Sequence, residues 1–269
     1  NPINIVKGIE KPINPKILHF SIPTTAGTGS ESTHFAVIYL NKIKYSVSCD
    51  FLIPYMAILD GELIISNSPE QKAYNGLDAL AQAIESHWAT GSNKESRSYS
   101  REAIPTLYKI LPKVVSSDVE KSDYQKIMFA ANLAGKAINI SKTTSPHAFS
   151  YSFTSKYGIP HGHAVWLTLP KIFEIHLKTF EKNKLNLKNY EEFRTILFEI
   201  LNLLGIQENR LLIELHKLIS NVGLEFSMEK LGISSKSARR EIAKDVNLER
   251  LKNNPVSFTE KDIQEIFNL

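Results

Sequence analysis

The sequence predicts a short α/β part followed by an all-α part, on three observations. Brief runs rich in Ile, Val, Phe and Tyr, separated by turn residues, fill the N-terminal stretch. From about Pro69 the pattern changes to long segments with an apolar period near 3.6 residues, and few β-rich runs interrupt them. No internal repeat or low-complexity tract divides the chain further. The change of character places a boundary near residues 61–69, so residues 1–66 are assigned to the first part and 67–269 to the second.

Residues 1–16, NPINIVKGIEKPINPK, hold three prolines and no periodicity, and are expected to be a connecting segment. Strands are expected at 17–22, 35–40, 44–48 and 55–59. After the first comes IPTTAGTGSE (Ile22 to Glu31), where Gly27 and Gly29 alternate with small hydroxyl residues. Such a loop can bring backbone N–H and hydroxyl groups close to a phosphate or ribose, although many Gly/Ser/Thr loops bind nothing. It is not a Walker loop and lacks the G-x-G-x-x-G spacing. The four strands are too few for a self-sufficient α/β domain, so further strands on the N-terminal side are expected.

Residues 73–89 are predicted to be helical, with Leu77, Leu80, Ala81, Ile84 and Trp88 on the apolar face. Helices are also predicted at 97–113, 124–139, 163–180, 189–204, 209–221, 235–246 and 260–267. The last has Thr259 as N-cap and Asp262 three residues on, a weak capping box.

Composition limits the function. A chain of 269 residues can bury a real core, and its 42% hydrophobic and 22% charged residues are ordinary for a globular protein. The net charge of +4 is mild and its basic residues are scattered, which argues for a solvated surface over a nucleic-acid groove. Cys49 is the only cysteine, so no intrachain disulfide can form and a reducing compartment fits. No apolar run is long enough to span a membrane and no signal-peptide pattern opens the chain. A cytoplasmic setting is expected.

The chemistry-bearing residues fall in two segments. In NGLDALAQAIES, Asp78 and Gln82 stand at i and i+4 and share a helix face. Leu77, Ala81 and Ile84 make that face apolar, and a buried carboxylate needs a partner, for which a metal is one candidate. The plain alternative is a surface Asp near a helix N-terminus. In SPHAFSYSFTSKYGIPHGHAV, His147 follows Ser145–Pro146 and is expected in the first turn of a helix. His161 lies fourteen residues later in a Gly-Ile-Pro-His-Gly turn. One carboxylate and two imidazoles can hold a divalent metal with an open position. His163 is a candidate third ligand or outer-layer group, whereas His87, His176 and His216 are read as ordinary helix residues.

Taken together, PTTAGTGSE, Lys44 ten residues before Pro54, GLDALAQAIES, the His147/His161 pair in PHAFSYSFTSKYGIPHG and the closing NNPVSFTEKDIQEIF resemble the iron-containing (group III) alcohol dehydrogenase family. Within it they look most like the phosphonoacetaldehyde reductase (hydroxyethylphosphonate dehydrogenase) branch. The resemblance implies a dehydroquinate synthase-like architecture: an α/β dinucleotide-binding domain, here a remnant, followed by a helical metal domain. It also implies a further upstream stretch with a Gly-Gly-Gly-Ser pyrophosphate loop, and this sequence contains no such loop. By that resemblance Asp78, His147 and His161 match metal ligands, for Fe2+ or otherwise Zn2+ or Mn2+. Gln82 stands where most of the family has a histidine ligand, and Tyr151 where many relatives have a histidine near the substrate. Thr24, Thr25, Thr28, Ser30, Phe35, Lys44 and Leu63 match contacts to NAD(H) or NADP(H).

The implied reaction is reversible hydride transfer between the nicotinamide and an aldehyde whose oxygen the metal polarises. Tyr151 and His163 are the candidates for carrying the proton. The implied partners are small aldehydes or alcohols, with phosphonoacetaldehyde foremost, and a homo-oligomer. Lys142, Arg97 and Arg101 flank the metal motifs and are candidates for meeting a phosphonate. The competing readings are a general short-chain alcohol or polyol dehydrogenase, a lyase of the dehydroquinate synthase type, and a metal-binding piece with an incomplete cofactor half.

Overall fold

The computed structural model describes residues 2–11, 13, 17–40, 43–116, 119–179, 185–186, 189–244, 246 and 251–269. Its architecture follows from one helix, α2 (Pro69–Trp88). Ser68 caps it by accepting from Gln71 N at 3.2 Å, and the Gln71 side chain accepts from Ser68 N at 3.2 Å. With Pro69 in the first turn, this reciprocal box starts the helix at residue 69, four positions before the predicted 73. From Gly76 to Ala89 every residue is buried, polar ones included, which makes α2 the central helix of the molecule. Gly76 lets α3 (Lys94–Val115) press in: a Cβ there would lie 2.2 Å from Leu111 Cδ1. A third long helix, α4 (Lys121–Ser141), packs against both.

After α4 the chain passes through Lys142 at φ 61 into α5 (Ser145–Tyr157), which ends on a left-handed Gly158. The predicted 163–180 helix is two helices, α6 (His161–Trp166) and α7 (Leu169–Lys178). The last turn of α6 tightens, with Leu167 N and Thr168 N bonding to the carbonyls three residues back. Pro170 has no N–H for the carbonyl of Trp166, and it sits instead in the first turn of a new helix. Residue 180 lies outside the described residues. Then come α8 (Tyr190–Leu204), α9 (Leu211–Asn221), α10 (Lys236–Lys244) and α11 (Glu260–Phe267). The Thr259/Asp262 capping box is formed, with Thr259 N donating to Asp262 Oδ2 at 2.7 Å. One apolar cluster joins α2, α3, α4, α8 and α9; a second, around Phe149, Phe153 and Phe267, joins α5, α7, α10 and α11.

The α/β part is thinner than predicted. β1 (Phe20–Ser21) pairs in parallel with β4 (Met56–Ala57), and β2 (Phe35–Leu40) forms an antiparallel hairpin with β3 (Ile43–Ser48). The outer strands shrink to two residues each because a strand extends only as far as a partner edge does. Apolar side chains in and beside them, among them Ile17, Leu18, Phe20, Tyr55 and Met56, stay exposed. Residues 2–6 of the expected connecting segment form a short helix, α1 (Pro2–Val6).

A polar stripe on α4 seats this part on the helices. Gln125, Asn132 and Asn139 are seven residues apart and so lie along one face. Gln125 accepts from Gly61 N at 2.8 Å and donates to Leu59 O at 3.1 Å. Asn132 donates to the buried Glu31 at 2.9 Å, and Asn139 accepts from His34 N at 2.8 Å. Between them Gly29, at φ 62, touches Gly135 so closely that a Cβ would lie 2.4 Å from its Cα. None of the described helices is long and apolar enough to cross a membrane.

Candidate metal centre

Asp78 and Gln82 project from the buried half of α2, and the α5 and α6 helices bring the two histidines to them. His147 lies in the first turn of α5, after Pro146. His161 opens α6, and Gly162 beside it is what lets α6 reach α2. A Cβ on Gly162 would lie 1.9 Å from Tyr74 O and 2.8 Å from Asp78 Cβ, so any side chain would push the two helices apart. His147 Nε2 stands 3.2 Å from Asp78 Oδ1, and His161 Nε2 stands 3.9 Å from the same oxygen. One ligand atom from each of Asp78, His147 and His161 lies within 4.8 Å of the others. Asp78 and His147 are buried while the His161 side chain is 38% exposed, so the cluster is open on the His161 side.

The electrostatics suit a cation. Burial would raise the Asp78 carboxyl, but the His147 hydrogen bond and the nearby His161 hold it below its ordinary value. Burial would lower His147, but the Glu85 charge and the Asp78 and Glu85 hydrogen bonds more than offset that and push it up to about 9. Two buried carboxylates therefore share one imidazole. Gln82 Nε2 donates to Asp78 Oδ2 at 3.0 Å, which leaves its Oε1 buried with no hydrogen-bond partner. A buried acceptor without a donor is costly, and a cation beside Asp78 would satisfy it. The oxygen and nitrogen donors fit a divalent metal.

The other sequence candidates are distributed around this cluster. The Tyr151 ring stacks on His161, with centroids 6.3 Å apart and planes 13° apart. His163 is outside the cluster, since its Nε2 bonds to the Glu225 carbonyl at 2.5 Å. The Thr24, Thr28 and Ser30 side chains are exposed and Thr25 is half-buried, with Thr28 and Ser30 hydroxyls 2.9 Å apart. Gly27 rests on Asn75, one turn before Asp78 on α2, so this loop and the His161 turn meet the same stretch of helix. Phe35 is half-buried and edge-on to His34, and Leu63 is exposed in the turn Gly61–Ile64. Lys44 has its backbone in β3; its side chain lies outside the described residues. Arg97 and Arg101 turn to α8, where they pair with Glu192 and Glu199.

Two residues of the cluster were not among the sequence candidates. Glu85, fully buried, pairs with His147 Nδ1. Ser150 Oγ lies 3.3 Å from His161 Nδ1. Glu85 was findable: it follows Asp78 at i+7 and Gln82 at i+3, on the same face.

Residues 72–269 match the model of the Fe-containing alcohol dehydrogenase family, C-terminal part, and residues 3–61 match that of the iron-containing alcohol dehydrogenases. The chain belongs to the iron-containing alcohol dehydrogenase family. Among its relatives, long-chain-alcohol dehydrogenase 1 of Geobacillus thermodenitrificans is 28% identical over 96% of this chain and 64% of its own length. Phosphonoacetaldehyde reductase of Streptomyces viridochromogenes is 32% identical over 59% of this chain and 40% of its own length. The crystal structure of sulfoacetaldehyde reductase from Bifidobacterium kashiwanohense in complex with NAD+ superposes with a TM-score of 0.82 at 29% identity, over 95% of this chain and 65% of that one. The chain thus spans less than two thirds of the length of each of these relatives. Family membership brings the architecture with it, a small remnant of a Rossmann-like sheet followed by a helical domain.

Proposed function

We propose that this chain is the metal-bearing part of an iron-type, nicotinamide-dependent aldehyde reductase. Residues 67–269 would form the metal domain and residues 1–66 the end of the cofactor domain. The observation that carries the reading is the meeting of Asp78, His147 and His161 next to the partnerless Gln82 oxygen. In the proposal these three side chains hold a divalent metal, Fe2+ foremost, and Gln82 Oε1 turns toward it. A metal there supplies Lewis-acid polarisation of a carbonyl oxygen. The Thr24, Thr25, Thr28 and Ser30 hydroxyls and backbone, with Phe35, Lys44 and Leu63, hold NAD(H) or NADP(H). Tyr151, stacked on His161, would supply the proton that the carbonyl oxygen takes up when hydride reaches its carbon. His163, engaged with the Glu225 carbonyl, clamps α6 rather than moving a proton.

The proposed substrate is a short aldehyde carrying an oxyanion, phosphonoacetaldehyde first. The similarity to a phosphonoacetaldehyde reductase and to a sulfoacetaldehyde reductase supports this. Lys142, exposed at the turn that leads from α4 into the His147 helix, is its proposed cation. A cytoplasmic setting goes with this reading. The similarity to a long-chain-alcohol dehydrogenase over nearly the whole chain favours a second reading, an enzyme for uncharged alcohols.

The test is a substrate panel on the iron-loaded, full-length enzyme under anaerobic conditions, following oxidation of NADH and NADPH. Phosphonoacetaldehyde and sulfoacetaldehyde should outpace butanal. His161→Ala should abolish turnover, and an equally active variant would remove the metal assignment. Faster turnover of butanal would move the chain to the second reading.

A further inference from the structure

We propose that Glu85 is the positioning residue of this metal centre. It holds the His147 ring by Nδ1, so that Nε2 faces Asp78 and the cation. The inference rests on the proposed metal site and extends it one layer outward.

Glu85 is fully buried, and both of its oxygens are engaged. Oε1 takes His147 Nδ1, while Oε2 accepts from Thr144 N at 2.6 Å and from Thr144 Oγ1 at 2.8 Å. Thr144 is itself held, since Trp88 Nε1 donates to its hydroxyl at 2.9 Å. Thr144 is the N-cap of α5, so one carboxylate fixes both the helix that carries His147 and the orientation of its ring. With Nδ1–H given to Glu85, Nε2 is left as the metal-facing nitrogen. A carboxylate partner also makes an imidazole a stronger donor than a neutral partner does.

The second histidine is held differently. Behind His161 Nδ1 stands the Ser150 hydroxyl at 3.3 Å, and the His161 side chain is 38% exposed. The site therefore has a carboxylate-backed ligand inside and a hydroxyl-backed ligand at its open side.

Cobalt(II) binding to the 269-residue chain tests this without turnover. The readouts are affinity by chelator competition, the visible ligand-field spectrum, and the melting of the metal-free protein. Glu85→Gln should weaken binding about 10- to 100-fold and shift the spectrum. Glu85→Asp, which keeps the charge, should recover part of the loss. If Glu85→Gln does not fold, Thr144→Val takes its place: it removes one of the two groups that hold Oε2, and should still weaken binding at least about threefold and shift the spectrum. A folded Glu85→Gln, or Thr144→Val in its place, with unchanged affinity and spectrum overturns the inference. If the unsubstituted chain fails to bind cobalt, or His161→Ala binds as tightly, the metal-site reading falls and Glu85's role with it. Loss in His161→Ala beside normal binding in Glu85→Gln removes the Glu85 role alone.

Discussion

His147 and His176 are both buried and both lie against α2, yet their surroundings drive them in opposite directions. His147 sits between the carboxylates of Asp78 and Glu85 and is pushed up to about 9. His176 sits among the rings of Trp88, Phe193 and Phe258, and burial drives it down to about 3. Its Nε2 accepts from Asn254 at 3.1 Å, and its Nδ1 has no partner. Burial alone makes an imidazole neutral and inert; neighbouring charge makes it a cation or a ligand. The contrast separates a site from a core position more sharply than residue type does.

Breaking the two pockets in turn gives the largest expected contrast. His147→Ala should eliminate tight metal binding, measured by titration with cobalt(II) or zinc(II). His176→Phe should leave it intact. Loss of binding in both variants would mean that the pockets are not independent.

The pH dependence sharpens the comparison through its sign. His87, bonded to Ser100 and Glu199, is lowered to about 4 by burial, and His176 to about 3. A base lowered in the folded state adds its full stability above the unfolded value near 6.5, and the contribution is lost as pH falls through the folded value. At pH 4.5 each should cost about 2–3 kcal/mol relative to pH 7. His147 runs the other way in the metal-free protein: its contribution is present below about 6.5 and lost as pH rises through about 9. Urea unfolding at pH 4.5, 7 and 9.5 checks this. His176→Phe should flatten the acid limb only. An unchanged acid limb in that variant would refute the assignment.

Gly162→Ala tests the α2–α6 approach that one pocket needs and the other does not. The new methyl would meet the Tyr74 carbonyl, so the helices must separate at a cost of about 1–3 kcal/mol. Metal affinity should fall because His161 moves away from Asp78, while His176 keeps its low titration, followed by NMR of the ring.

The same contrast explains what was legible in the sequence. His147 and His161 stood out because Pro146 and the Gly-Ile-Pro-His-Gly turn restrict the backbone around them, and Asp78 because it interrupts an apolar helix face. Glu85 did not stand out, since a glutamate in AIES resembles any solvent-facing helix residue. Its place on the Asp78 and Gln82 face is legible from the spacing; the burial of α2 on all sides, a tertiary fact, is what makes that place matter. Helices appeared wherever the apolar period was long. Their ends depended on local chemistry, as at Ser68 and Pro170, and the strand lengths depended on which edges had partners.

The smallest expected effect lies on the link between the pockets. Ser145 Oγ donates to Asn254 Oδ1 at 2.7 Å, and Asn254 Nδ2 serves both His176 and the Val256 carbonyl. Ser145 stands two residues before His147, so one hydroxyl ties the metal-side helix to the aromatic pocket. Ser145→Ala leaves Asn254 Oδ1 without that donor and should lower stability by about 1–2 kcal/mol in urea. Glu85 and Thr144 hold His147 independently of Ser145, so cobalt affinity should stay within about threefold, or about 0.6 kcal/mol. A larger fall in affinity would mean that the ring is aimed through Ser145 and Asn254 as well as through Glu85. The two pockets would then act as one unit across α5.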